Sequence, residues 1–176
     1  MSPSPLLLAI HVTLALALTI LVGVQSVQLG RLRHTTPVDP PPADRQARPL
    51  VAAIAAVPVL TLIVAATGGM LLKDGALGGP WIGAGVASAV AIGLTALWTL
   101  RTLRQRPARR WTSTAAAGVS AAQWGIPALT LAAAFLMADR PQNLPGAATP
   151  VLAATLAAAA AYTAALRSPT PRWNPK

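Results

Sequence analysis

The sequence predicts an all-α membrane protein: a bundle of five transmembrane helices, N-terminus outside and C-terminus inside. Three observations carry that reading. Charged residues make up only 10% of the 176-residue chain, against about 25% in a soluble domain. The apolar residues gather into five runs, each about long enough for a helix to cross ~30 Å of hydrocarbon. The basic residues lie between those runs, abundant in alternate connections and scarce in the others.

The first span covers about 6–29, two dozen residues without a formal charge. No basic segment precedes it, and it is longer than the apolar core of a cleaved signal, so it reads as a retained helix. Residues 30–49 form a basic loop with Arg31, Arg33, Arg45 and Arg48; Pro37, Pro40, Pro41, Pro42 and Pro49 forbid a continuous helix across it. The second span covers about 50–72. Its Pro58 leaves the Ile54 carbonyl without a helical donor and predicts a kink, and Thr67-Gly68-Gly69 lies near its far end. A short Gly-rich link then predicts a tight hairpin into the third span, about 81–100. Gly85, Ala89 and Gly93 recur there at every fourth residue. Such a stripe is either a seam for close helix packing or an accident of a chain rich in Ala and Gly.

A second basic loop, 101–111, holds Arg101, Arg104, Arg106, Arg109 and Arg110, and ends in Trp111 where an interfacial indole is expected. The fourth span covers about 114–137, with Thr112 or Ser113 as its cap and Pro127 interrupting it. Asp139, Arg140, Pro141 and Pro145 make the next loop. The fifth span, about 148–166, is mostly alanine and gains bulk only from Val151, Leu152, Leu156, Tyr162 and Leu166. The tail, 167–176, adds Arg167, Arg172 and Lys176.

Charge gives the direction. The two basic loops and the tail hold four, five and three Lys or Arg, and the opposite side holds only Lys73 and Arg140. The basic side is expected in the cytoplasm, so residues 1–176 read as one transmembrane domain. Twelve arginines against two lysines, with abundant alanine, suggest a high-GC bacterial genome and hence a multi-pass protein of the bacterial cytoplasmic (inner) membrane.

Several function classes drop out. The chain has no cysteine, which removes thiol catalysis, iron–sulfur ligation and thiolate zinc. There is no phosphate-binding loop, no Ser-His-Asp set and no paired carboxylates. The four acidic residues all lie in or beside loops, which withholds support from proton coupling through buried carboxylates. The net charge of +10 sits between the spans, where it reads as topology and as attraction for anionic headgroups, about 1 kcal/mol per residue, rather than as a nucleic-acid surface.

His11 is the one ionisable residue well inside an apolar span. Projected at about 100° per residue, His11, Ala15, Thr19, Val22, Gln25 and Ser26 share a third of the first helix, and Leu6, Leu16, Ile20, Val24 and Val27 lie opposite. The polar stripe is expected to face other helices, because an unpaired polar group in lipid is costly. Spans one and two run in opposite directions, which sets Thr67 at the depth of His11. The imidazole is then either a haem or metal ligand or proton carrier, or a hydrogen-bonding group between helices. Met70 and Met137 lie near the outer ends of spans two and four and leave a thioether site with His11 open; His34 is on the far side. Gln123, Trp124 and Pro127 share one side of span four and line either a polar cavity or a packed kink.

His11 near the outer end of the first span, followed by Pro58 and Thr67-Gly68 in the second, resembles the small bacterial integral-membrane proteins related to the copper-resistance D family, over about the first 80 residues. The resemblance implies a periplasm-facing site in a helical bundle, for copper or haem. The expected function is a non-enzymatic accessory or scaffold component. The alternative is a handler of haem, copper or a small apolar ligand, with His11 and Thr67 as binding residues and Met70 added for a metal; a transporter subunit built around Gln123 is the third. The cofactor is left open. The expected partners are the bilayer, its anionic headgroups, and a membrane protein or a second copy of the chain, without nucleic acid.

Overall fold

The computed structural model describes residues 4–34, 43–73, 78–105 and 113–167. Among them are five helices: α1 (Pro5–His34), α2 (Ala43–Lys73), α3 (Pro80–Gln105), α4 (Ser113–Asp139) and α5 (Leu144–Arg167). All five are long and apolar enough to cross a membrane.

Each helix overruns its expected apolar run. α1 continues through Arg31 to His34 and α2 begins at Ala43, so much of the expected loop at 30–49 is helical and Pro49 lies within α2. Hydropathy marks the part of a helix that sits in hydrocarbon. It does not mark where the backbone stops, because arginine is itself a good helix former. Pro145 is likewise not a loop residue. It sits in the first turn of α5, where a missing N–H costs nothing. Asn143 caps that turn: its Oδ1 accepts from the Gly146 N–H at 2.7 Å. Pro80 opens α3 in the same permissive first turn. The bases at Arg106, Arg109, Arg110, Arg172 and Lys176, and the expected positions of Trp111 and Thr112, lie outside the described residues.

Four helices close a ring, with α1 on α2, α2 on α3, α3 on α4 and α4 back on α1, while α5 lies outside against α4 and α3. The core has two layers. Leu18, Val22, Val57, Val64, Ile92, Ala122 and Ile126 meet in the larger one, and Leu29, Leu50, Ile54, Leu100 and Val119 meet at the end where α1 finishes. The second layer joins the end of α1 to the beginning of α2 and the end of α3 to the beginning of α4, as antiparallel neighbours require. Arg31, Arg101, Arg104 and Arg167 are all exposed at that end, called the basic end below.

The close helix approaches are not where the Gly85, Ala89, Gly93 stripe puts them. A Cβ at Gly85 or Gly93 would meet nothing within 4 Å. α3 packs through the adjacent stripe of Ser88, Ile92, Ala96 and Thr99, all buried. The tight contacts are on α4. A Cβ at Gly125 would lie 2.9 Å from the Ala158 Cβ of α5, and the Trp98 ring fills the space that a Cβ at Gly118 would need.

Candidate functional site

Early in α1 and late in α2, one polar contact joins the two helices away from the basic end. His11 is buried, 7% exposed. Its Nδ1 lies 2.9 Å from Thr67 Oγ1. The ring rests against the backbone of Gly68, where a Cβ would stand 3.2 Å from His11 Cε1. Each part has a local cause. The depth match follows from the antiparallel pairing of α1 and α2. Gly68 supplies the room, since any side chain there would press on the imidazole. Thr67 stays in the helix by turning its hydroxyl back on the preceding turn, 3.0 Å from the carbonyls of both Ile63 and Val64.

Thr67 has one hydroxyl proton, and the two carbonyls can only accept it. The roles in the His11–Thr67 contact follow the imidazole tautomer: Nδ1–H donates to Oγ1 while the hydroxyl stays on its own helix, or a bare Nδ1 accepts when the hydroxyl turns to it.

The other expected site residues scatter. Met70 is 55% exposed, on the outside of the bundle. On α1 the buried face runs through His11, Leu18, Val22, Gln25 and Leu29, and Leu6, Leu16, Ile20, Val24 and Val27 are exposed as the projection expects. Thr19 departs from the stripe: it is exposed, and its hydroxyl donates to the Ala15 carbonyl at 2.9 Å. A threonine satisfied within its own helix has no need of a partner helix. Trp124 is 58% exposed, so it does not join Gln123 and Pro127 around a polar cavity. The Gln123 amide instead reaches α1, and a Cβ at Gly30 would lie 2.7 Å from its Nε2.

Gln25 carries a signal that the stripe only half reveals. It is 1% exposed, and among the described residues neither its amide nitrogen nor its amide oxygen has a hydrogen-bond partner. Periodicity can place a polar residue on a buried face, but it cannot say whether that face offers a partner.

One side-chain nitrogen makes up a single position of a copper sphere, which needs several donors. Among the described residues there is no group of three or more His, Cys, Asp or Glu that could hold a metal ion. The close packing of the ring on Gly68 also leaves no space for a macrocycle on that side. Among the described residues His11 alone therefore does not make up a copper sphere. The chain was compared with protein-family models, curated proteins and solved structures, and none matches.

Proposed function

We propose that this chain is a non-enzymatic accessory or scaffold protein of the bacterial cytoplasmic membrane, with the N-terminus outside and the basic end in the cytoplasm. The observation that carries the reading is the His11–Thr67 contact at 2.9 Å. The one imidazole well inside the spans is engaged in holding α1 to α2. The same economy runs through the bundle. Thr61, Ser88, Thr99 and Thr130 are buried and donate to carbonyls of their own helices, and Ser120 donates across to Ala161 of α5 at 3.3 Å. Gln25 aside, buried side chains that bond within or between these helices leave an apolar exterior for lipid and for a membrane partner.

A second reading starts from the other ring nitrogen. With Nδ1 turned to Thr67, Nε2 ligates in the tautomer that leaves it the lone pair, and His11 then supplies one donor to an outward-facing ligand whose other contacts come from a second molecule. Absorption spectra and metal content of the purified protein separate the two. A colourless, metal-free protein is expected, and His11→Ala leaves the spectrum unchanged. A Soret band or stoichiometric copper that His11→Ala abolishes would overturn the first reading in favour of the second. The orientation follows from the arginine count, and reporter fusions at residue 40 and at the C-terminus test it: both are expected to be active only as cytoplasmic reporters.

A further inference from the structure

On the outer surface of the ring, α5 leans on α4 and touches α3 only sparsely, and a groove of about 340 Å³ is left between α3 and α5. Leu94, Thr95 and Trp98 form one wall, Ala158 belongs to the other, and α4 is the floor from Gly118 to Leu129. The lining is almost wholly apolar, and it opens toward lipid. We propose that this groove binds one acyl chain of an anionic phospholipid from the leaflet at the basic end, with Arg101 holding the headgroup.

Size selects the occupant. The floor from Gly118 to Leu129, twelve residues and eleven steps, is about 16 Å long at 1.5 Å per residue, against a leaflet of about 15 Å, half the ~30 Å core. About 340 Å³ spread along a floor of that length is a narrow channel, the shape of a single hydrocarbon chain.

Charge selects the headgroup. Leu94 and Trp98 line the groove, and Arg101 continues their stripe at the i, i+4, i+7 spacing of one helix face. It stands less than one turn beyond Trp98 toward the basic end and is exposed. Trp98 rests on Gly118, the floor residue nearest that end, so the groove finishes under an indole with a guanidinium just past it. Arg104 and Arg167 are exposed at the same end. A phosphodiester there meets a guanidinium, which binds phosphate oxygens by two parallel hydrogen bonds. The placement depends only on which end is basic and holds for either orientation in the membrane.

Native mass spectrometry of the full chain in detergent, with phosphatidylglycerol or phosphatidylcholine added, tests the proposal. One phosphatidylglycerol per chain is expected, held about fivefold more tightly than phosphatidylcholine, the ratio that corresponds to ~1 kcal/mol for one basic residue. Ala121→Phe fills the groove from the floor and is expected to remove the bound lipid of both kinds. Leu94→Trp fills it from an exposed wall position and gives the same answer should Ala121→Phe disturb the fold. Arg101→Gln is expected to keep a bound lipid and lose the fivefold preference. Equal retention of the two lipids by the unaltered chain, no retained lipid, retention unchanged in both filled variants, or a dimer formed through this groove would each overturn the proposal.

Discussion

α4 and α5 are both alanine-rich, both carry a proline inside the helix, and are 27 and 24 residues long, yet they sit in the bundle very differently. α4 buries twelve residues, from Ala115 to Leu136. α5 buries Ala147 and Ala154. In water the more apolar helix goes inside. In a bilayer lipid is as apolar as leucine, and what brings helices together is close packing. α4 packs on three neighbours because it puts its small residues where backbones meet, at Gly118 under Trp98 and at Gly125 under Ala158. The bulk of α5, Leu144, Leu152, Leu156 and Leu166, is exposed and faces away from the bundle.

The largest test of that difference is at Gly125. Gly125→Leu drives a branched side chain into the 2.9 Å approach of Ala158, and overpacking of this kind costs about 1–3 kcal/mol. The expected outcome is a loss of that size in SDS-driven unfolding, with α5 opening to protease before the other four helices. The comparison is Gly93→Leu, where a Cβ meets nothing within 4 Å and the expected change is within about 0.5 kcal/mol. Equal losses at the two glycines would show that the α4–α5 contact is not what seats α5.

Gly125 could not have been singled out from the sequence, and the reason is physical. Burial periodicity needs contrast between faces, and α4 is apolar all round, so no residue spacing tells its packed side from its lipid side. The visible stripe, Gly85-Ala89-Gly93, lay on the neighbouring helix and turned out to be unengaged. The five spans were legible because hydrocarbon thickness and arginine placement are one-dimensional properties of the chain. The depth match of His11 and Thr67 was legible for the same reason, through antiparallel arithmetic. The exposed face of α1 was readable because Leu6, Leu16, Ile20, Val24 and Val27 contrast with a polar stripe. Helix ends were not, since Arg31 and Arg45 extend a helix as readily as they leave a membrane. The Trp98–Gly118 contact needs the rotation of α3 about its own axis, which no local pattern encodes.

Within α1 the contrast repeats between two buried polar residues, one partnered and one not. Among the described residues nothing satisfies the donor or the acceptor of Gln25, although Pro58 leaves the Ile54 carbonyl of the adjacent helix without its usual donor. An amide buried without partners costs about 1–3 kcal/mol. Gln25→Leu, of similar volume, is therefore expected to raise stability by about 1 kcal/mol in the same unfolding assay. A loss of stability would mean that the Gln25 amide has a partner in the membrane, a bound water being the smallest.

His11 is the partnered case, and the coupling energy of its contact is expected to be the smallest of the three terms. Interhelical hydrogen bonds in membrane bundles average about 0.6 kcal/mol, because the separated helices find other partners. A double-mutant cycle isolates the term: His11→Ala, Thr67→Val, and both together. His11→Ala alone also removes the packing of the ring on Gly68, so its total loss should exceed the coupling energy, at about 1–2 kcal/mol. The coupling itself should come to about 0.6 kcal/mol, across the 2.9 Å contact of His11 Nδ1 with Thr67 Oγ1. A coupling near zero would break the clasp reading, since Thr67 would then be as well satisfied by the Ile63 and Val64 carbonyls alone. In that event the imidazole, buried against Gly68 but gaining nothing from the Thr67 hydroxyl, would be left for the ligand-binding reading to explain.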